Sequence, residues 1–409
     1  MEAIGIAANE TKKDRRKALC AMLAFMLLCY LLLHSLFGGT LLDHCAWDSY
    51  SLQAQAWLEG RTDLGQNYTY LELAIYNGKY YVSFPPFPSV VMLPFVLIFG
   101  TNTPNNLIIM VITLLTAAAA FTLCGFGGYR AKDSALLALF ITFGSNVMWM
   151  STMGGVWFMA QIMMMLLLLL AATSACKNRI CLSYALVALA VGCRPFAAAA
   201  FLPLAAWFYA KNRARGMGKL ASFFSQWKAW IAPAAIAAAM MWYNYIRFDN
   251  PLEFGHNYLP EFLESENGQF NLTYIWDNIV RIFRPVTLNA DLSLSYSYFD
   301  GFMFFVANPL FLLFFASVWR SIRQKNINSV RVCLCVAMAV MLFGLCLHKT
   351  FGGWQFGARY TCDLLPLALC HICMSSAEKR LKSWEKAAAV FGIAFNIYGA
   401  LAMTFQYGS

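Results

Sequence analysis

The sequence predicts an all-α, polytopic membrane protein of about eleven transmembrane helices, with interfacial helices in its first outer loop. Three observations carry this prediction: the composition, the repeated apolar stretches and the placement of the basic residues. Hydrophobic residues make up 60% of the 409-residue chain and charged residues only 12%, about half the charged fraction of a soluble domain. Apolar stretches long enough to cross a bilayer recur along the chain. We therefore expect residues 1–409 to form a single transmembrane domain.

The first predicted span covers residues 18–37. It is too long for a signal peptide and has no evident small-residue cleavage site, so we expect it to be retained. Five basic residues precede it, namely Lys12, Lys13, Arg15, Arg16 and Lys17. By the positive-inside rule the N-terminus is cytoplasmic, and the loop from Gly38 onward lies outside.

The other apolar segments alternate with basic loops. They are 84–100, 106–126, 133–149, 155–173, 181–193, 196–210, 229–246, 302–319, 329–347, 360–376 and 385–405. If all of them crossed, the loops with Arg130 and with Lys177 would lie outside, against the rule. If 84–100 does not cross, every basic loop is cytoplasmic, and the four prolines of this segment suit a bent interfacial helix. This topology places the C-terminus outside.

Two long outer loops follow from this topology, at 38–105 and 247–301. In the first, Asp48 opens a short helix that stops at Gly60. In the second, the apolar piece Tyr274–Phe283 suits another interfacial helix. The net charge of +10 reflects orientation and anionic lipid headgroups, so no nucleic-acid partner is expected.

Segments 181–193 and 196–210 are short for two straight crossings. Arg194 and Pro195 separate them, and proline breaks a helix. A single long span would move the following basic loop outside. We therefore predict a hairpin whose tip directs Arg194 towards an outer cavity.

Asp48 is the first candidate for chemistry, because it lies close to the end of the first span. Aspartate is a favoured helix N-cap, which gives it a purely structural interpretation. The functional interpretation is a general base at the membrane surface. The two interpretations are compatible.

Basic residues near the outer membrane surface are candidates for binding a phosphate. Arg194, Arg247, His348 and Arg359 lie there, and arginine forms bidentate hydrogen bonds with phosphate. Each also has a structural interpretation as an ion pair or a side chain reaching the headgroups. For Arg359 that interpretation is an i,i+4 pair with Asp363.

Several other features favour a structural role. A loop histidine such as His256 is more often a hydrogen-bonded filler than a catalyst. Cys333-x-Cys335 and Cys370-x-x-Cys373 have suggestive spacing but no second ligand pair, so no metal site is predicted. No cofactor is expected, and a divalent metal is compatible with the sequence without being indicated. Gly-rich nucleotide motifs are absent, so a nucleotide-sugar donor is unsupported.

Several short motifs together resemble bacterial integral-membrane glycosyltransferases of GT-C type, the superfamily of the protein O-mannosyltransferases and the aminoarabinose transferase of lipid A. The motifs are Asp48 with Ala54, Leu58-Glu59-Gly60-Arg61 and Asp63-Leu64; Tyr80-Tyr81 with Phe84-Pro85-Pro86; Val191-Gly192-Cys193-Arg194-Pro195; Tyr243-Asn244-Tyr245-Ile246-Arg247-Phe248 with Pro251-Leu252-Glu253-Phe254-Gly255; and Phe356-Gly357-Ala358-Arg359-Tyr360 with Leu364-Leu365-Pro366. Each is weak alone, and their order makes the match moderately specific.

The resemblance implies a GT-C-like fold and an enzyme of the bacterial plasma membrane that takes its sugar from a polyprenyl-phosphate donor on the outer face. It also implies that the first outer loop holds the catalytic acid. The family commonly has an acidic pair there, whereas Ser49 follows Asp48 here, so Asp43 remains the alternative base.

We therefore expect an inverting glycosyltransferase that acts on a cell-envelope glycan, lipid or protein. Asp48 is the predicted base. The predicted substrate-binding residues are Arg194, Arg359, Arg247, His348 and Tyr81. The alternative is a transporter or flippase of lipid-linked sugars, which would need a polar path across the bilayer.

Overall fold

The computed structural model describes residues 10–291, 293–375 and 380–407. Its first eight helices are α1 (Lys12–Leu36), α2 (Ser49–Leu58), α3 (Phe87–Phe99), α4 (Asn105–Phe126), α5 (Ala131–Thr142), α6 (Val147–Met150), α7 (Val156–Cys176) and α8 (Ile180–Val191). The others are α9 (Phe201–Ala214), α10 (Lys219–Phe224), α11 (Ile231–Phe248), α12 (Pro260–Leu263), α13 (Tyr274–Phe283), α14 (Phe304–Ala307), α15 (Leu310–Arg323), α16 (Ser329–Cys346), α17 (Leu365–Ser375) and α18 (Ser383–Tyr407).

Strands are few and short, so the predicted all-α class is confirmed. Two antiparallel hairpins pair β1 (Leu73–Tyr76) with β2 (Lys79–Val82), and β3 (Thr287–Leu288) with β4 (Leu294–Ser295). Within the described residues, five helices are long and apolar enough to cross a membrane: α1, α4, α7, α16 and α18. The chain is a multi-pass membrane protein, and the number eleven stays a prediction.

The basic loops gather at one end of the helical bundle, which we call the basic end. Arg15 Nη1 donates to the Tyr129 carbonyl at 3.0 Å, and Arg320 Nη2 lies 2.9 Å from Glu385 Oε1. Long apolar helices carry the chain from here to the opposite end, since the 21 residues of α7 span about 31 Å. The structure therefore segregates the basic loops, as orientation in a membrane requires.

Segment 84–100 forms α3, which begins and ends at the end opposite the basic loops. The loop after α1 reaches the start of α4, where the Cys45 amide donates to Asn105 Oδ1 at 2.7 Å. Since α1 runs away from the basic end and α4 runs back to it, α3 does not take the chain across the bundle. Its 13 residues, with Pro94 inside, extend only about 20 Å.

The first outer loop contains a β-hairpin that the sequence analysis did not predict. Its turn is Asn77-Gly78, and both residues have positive φ, of 48° and 73°. An Asn-Gly turn of this kind twists in the sense that the flanking strands need. The hairpin lies between α2 and α3 in the chain and contributes Tyr81 and Val82 to a buried face.

The second outer loop contains α13 over the segment expected from the sequence. Asn278 of α13 is buried, and its side-chain amide donates to the carbonyls of Cys346 at 2.9 Å and His348 at 2.8 Å. These bonds satisfy two carbonyls at the end of α16. The loop that carries His348 is thereby held in place.

Candidate functional site

Arg194 lies at the break between two short helical segments, as the sequence predicted. Helix α8 ends at Val191, and a 3-10 helix begins at Pro195. The Arg194 Nε atom lies 2.6 Å from Asp363 Oδ2, and the Asp363 side chain is almost fully buried. The i,i+4 pair with Asp363, considered above as the structural alternative for Arg359, does not form, because Asp363 bonds to Arg194 and to Gln161 of α7.

Arg359 lies beside this pair and keeps an unused donor. Its Nε atom donates to the Gly352 carbonyl at 2.7 Å, whereas its buried Nη1 atom has no partner among the described residues. Tyr360 joins the two arginines, since its ring lies 5.0 Å from the Arg194 guanidinium carbon and 4.9 Å from that of Arg359. Two guanidinium groups thus share one paired carboxylate, that of Asp363. A positive charge and a buried donor remain for a ligand.

Two histidines complete an arginine–histidine cluster, which we define as Arg194, Arg359, His256 and His348. Both rings contact Phe262, at centroid distances of 6.3 Å for His256 and 5.4 Å for His348. His348 also lies 6.4 Å from the ring of Tyr360. The sequence placed His348 near the site, but it gave no signal for His256, which reaches the cluster through the fold of the second outer loop.

Both histidines are held neutral. Burial, with a smaller contribution from the charge of Arg194, lowers the pKa of His256 to about 4. Burial, with smaller contributions from His256, Arg194 and Arg359, also lowers the pKa of His348 to about 4. Bonds with the backbone of Ser83 and Thr350 oppose these decreases. An anion bound in the cluster would offset the arginine charges and raise both pKa values.

Tyr50 of α2 is a further polar group near the cluster that sequence reasoning missed. Its side chain is fully buried, and its hydroxyl has no hydrogen-bond partner in the described part of the chain. Burial raises the pKa of Tyr50 well above its ordinary value, and the nearby charge of Arg194 partly offsets this. The phenol is therefore a neutral donor close to Arg194.

Asp48 is the N-cap of α2, as the sequence indicated. Its Oδ1 atom accepts from the amides of Tyr50 at 3.0 Å and Ser51 at 3.2 Å, and its Oδ2 atom accepts from the Ser51 hydroxyl. The side chain has no exposed surface. Burial raises the pKa of Asp48, and the bonds with Ser51 oppose that increase. Asp43, the alternative base, is exposed at the end of a short 3-10 turn.

Arg247 and Tyr81 lie together, away from these contacts. Arg247 donates to the Val82 carbonyl at 2.8 Å and to Asn244 Oδ1 at 2.9 Å. Tyr81 packs against Phe248 with ring centroids 5.2 Å apart. These contacts fasten the first hairpin to α11. No hydrogen bond or ion pair within the described ranges joins either residue to the arginine–histidine cluster.

A groove of about 610 Å³ lies close to Arg194. It runs between α2 and α3 on one side and α8 and α11 on the other, and its lining is largely apolar. Gly192, two residues before Arg194, forms part of the wall and accepts a hydrogen bond from the Phe87 amide at 3.0 Å. The groove can hold an apolar chain whose polar head lies near Arg194.

The described residues contain no group of three or more His, Cys, Asp or Glu side chains arranged to hold a metal ion.

No protein-family model matches the chain, and no curated protein matches it. Two solved structures of ArnT from Cupriavidus metallidurans, an aminoarabinose transferase of GT-C type, are similar in fold. The apo structure has 13% identity and a TM-score of 0.55, and the structure bound to undecaprenyl phosphate has 12% identity and a TM-score of 0.54. The chain has the GT-C fold.

The match to ArnT covers 94% of this chain but 64% of ArnT, so the chain spans less than two thirds of that protein's length. The oligosaccharyltransferase of Archaeoglobus fulgidus in its apo form is a more distant neighbour, at 12% identity and a TM-score of 0.46, with 93% of this chain and 55% of that chain covered. The GT-C resemblance inferred from the motifs is thus confirmed at the level of the fold. Within this GT-C fold, the arginine–histidine cluster lies at the end opposite the basic loops.

Proposed function

We propose that this protein is an inverting glycosyltransferase that moves a sugar from a polyprenyl-phosphate donor to an acceptor hydroxyl on the outer face of the cell membrane. Its N-terminus is cytoplasmic and its C-terminus is outside. The observation that carries the proposal is the buried, unpartnered Nη1 atom of Arg359 beside Arg194. The likeness to an ArnT structure bound to undecaprenyl phosphate supports the choice of donor.

The charge of the site suits the chemistry of this donor. The phosphodiester carries one negative charge, and a second develops on the leaving oxygen as the bond to the anomeric carbon breaks. The guanidinium groups of Arg194 and Arg359 would stabilise that charge, so the leaving group needs no proton. The hydroxyl of Tyr50 adds a neutral donor on the same side as Arg194.

The groove beside Gly192 suits the isoprenoid chain. Its walls are largely apolar on both sides. Burial of an apolar chain in such a groove contributes about 25 cal/mol for each Å² of apolar surface removed from contact with water. The polar head would then reach Arg194 at the end of α8. A one-sided enzyme of this kind needs no polar path through the bundle, in contrast to a flippase.

Donor binding is expected to tighten as the pH falls from about 6 to about 4. Both cluster histidines have a pKa of about 4 without ligand, and a bound phosphodiester raises that value, so binding takes up protons. A phosphodiester has no group of its own that titrates in this range. Titration calorimetry in two buffers of different ionisation enthalpy measures the uptake. The double variant His256→Gln, His348→Gln should take up fewer protons on binding, and proton-independent binding by the unaltered protein would contradict the prediction.

The direct test of the function is the release of polyprenyl phosphate. Purified protein in phospholipid nanodiscs is incubated with a panel of undecaprenyl-phosphate-linked sugars and with membrane extract as the source of acceptor. We expect sugar-dependent release of undecaprenyl phosphate without added cofactor, and parallel reactions with EDTA measure any metal dependence. Movement of a lipid-linked sugar between leaflets of proteoliposomes, with the sugar–phosphate bond intact, would instead establish the transporter alternative.

A further inference from the structure

Glu72 presents an accessible carboxylate beside Trp157. It lies in the first outer loop just before β1, and its side chain is exposed. Its Oε2 atom accepts a hydrogen bond from Trp157 Nε1 at 3.1 Å. No hydrogen bond to Oε1 occurs among the described residues, so this oxygen is open to an incoming group. Asp48, by comparison, has both oxygens bonded and no exposed surface.

Glu72 is nevertheless surrounded by protein. Burial raises its pKa, Glu261 raises it further, and the bond from Trp157 and the charge of Arg359 partly offset the increase. Glu72 thus combines an accessible carboxylate with protein groups close around it. A carboxylate with a raised pKa is also a stronger base in its ionised form.

Three aromatic side chains in mutual contact lie beside Glu72, and we call them the aromatic platform: Trp47, Tyr70 and Trp157. Trp47 lies 6.0 Å from Trp157 and 6.2 Å from Tyr70 between ring centroids. Trp47 and Tyr70 have exposed fractions of 42% and 49%. Large aromatic rings left open beside a carboxylate offer both an apolar face and a hydrogen-bond acceptor to one ligand.

The platform adjoins the arginine–histidine cluster through one aromatic ring. Phe158 lies 6.1 Å from Trp157 between centroids, and the Arg359 guanidinium carbon lies 5.5 Å from the Phe158 ring. The amide of Val156 donates to the Trp47 carbonyl at 3.0 Å, which fixes the first outer loop against the start of α7. A ligand on the platform would therefore lie next to a phosphate held by Arg359.

We propose that the aromatic platform and Glu72 form the acceptor subsite, that the acceptor is a carbohydrate, and that Glu72 is the catalytic base. This inference rests on the proposed function. The C–H faces of a pyranose ring are electropositive and stack on the electron-rich faces of aromatic rings. The carboxylate accepts from a sugar hydroxyl at the edge of the same ring. A peptide acceptor needs no such open platform.

The step balances without a co-reactant. The acceptor oxygen forms a bond to the anomeric carbon while the bond from that carbon to the phosphate oxygen breaks. The proton of the hydroxyl passes to Glu72, and the bonding electron pair leaves on the polyprenyl phosphate. Attack from the face opposite the phosphate inverts the anomeric centre.

The first test measures carbohydrate binding without any donor. Saturation-transfer NMR is recorded on the full chain in phospholipid nanodiscs, because maltoside detergents carry sugars, with mannotriose, cellotriose and chitotriose as probes and a serine-containing peptide for comparison. We expect transfer to the ring C–H protons of at least one oligosaccharide, its loss in Trp47→Leu, and its retention in Trp319→Leu. Trp319 is a matched exposed tryptophan on α15. Binding of the peptide alone, or of no probe, would overturn the carbohydrate assignment.

The second test measures the base. Glu72→Gln keeps an acceptor for the Trp157 indole, and we expect kcat to fall by about 100-fold or more with donor affinity unchanged. The acidic limb of the pH–rate profile should disappear in this variant. Glu59→Gln, which alters another exposed glutamate of the same loop, is the control. Wild-type turnover in Glu72→Gln would overturn the assignment. If no donor yields polyprenyl phosphate with the unaltered protein, the proposed function fails, while the carbohydrate-binding test still decides the subsite.

Discussion

Arg194→Ala is expected to weaken donor binding by about 10- to 150-fold, which corresponds to the loss of a charged hydrogen bond worth roughly 1.5–3 kcal/mol. The structure adds a second cause. Without Arg194, the buried carboxylate of Asp363 loses its ion-pair partner. Its negative charge then interacts with Arg359, which weakens the attraction of Arg359 for the phosphate. Arg194→Lys keeps the charge but not the fork of donors, so we expect an intermediate loss. Calorimetric titration with the donor measures each affinity.

The ion pair with Asp363 also stabilises the fold, so affinity and thermal unfolding must be measured on the same preparations. Arg320→Ala is the matched control, because Arg320 pairs with the buried Glu385 at the basic end. It should lower the unfolding temperature and leave donor affinity intact. If Arg194→Ala behaves like Arg320→Ala in both measurements, Arg194 is structural and does not bind the donor.

Asp48→Ala is expected to lower the free energy of unfolding by about 2 kcal/mol, since it removes an N-cap and leaves the buried Ser51 hydroxyl without its acceptor. Asp48→Asn should cost little, because asparagine caps as well as aspartate. Burial raises the pKa of Asp48, so ionisation of the folded protein costs stability as the pH rises through the ordinary carboxyl range. Asparagine avoids that cost at neutral pH. Thermal unfolding of the three proteins between pH 4 and 8 tests both statements.

Turnover of Asp48→Asn decides whether Asp48 is a base as well as a cap. With Glu72 as the base, we expect the variant to retain turnover within a few-fold of the unaltered protein. Asn328→Ala, which removes the N-cap of α16, controls for cap loss at the basic end. A 100-fold or greater fall in the turnover of a stable Asp48→Asn protein would indicate that Asp48 is the base and would contradict the role proposed for Glu72.

The parts of the fold that depend on local sequence or on the membrane could be predicted. The positions of the basic residues predicted which segments share an end of the bundle. This prediction kept the segment of α3 at the end opposite the basic loops, where the structure has it. Asp48 indicated the start of α2, because an N-cap side chain accepts hydrogen bonds from amides two and three residues away. The apolar segment that forms α13 was also predicted to be helical. In each case the deciding interaction lies within a few residues or with the bilayer.

The contacts of the site could not be predicted in the same way. Asp363 is four residues from Arg359, a spacing that allowed a local pair as an alternative, yet its partner is Arg194, 169 residues away in the chain. The 3-10 helix from Arg359 to Leu364 departs from the α-helical spacing that an i,i+4 pair needs. Glu72 and His256 lie in loops, where no periodicity indicates which way a side chain points. Their positions follow only from the packing of both outer loops.

The excess positive charge of the arginine–histidine cluster has a consequence for the kinetics. A phosphodiester donor brings one negative charge, whereas the polyprenyl phosphate monoester left after transfer carries about −1.5 to −2 at neutral pH. The extra negative charge interacts more strongly with the arginines of the cluster and promotes protonation of its histidines. We therefore expect the polyprenyl phosphate product to bind more tightly than the sugar-linked donor. Product inhibition and a burst in the first turnover would follow, with carrier release as the slow step. Steady turnover would then require a second activity in the membrane that withdraws the monoester as it forms.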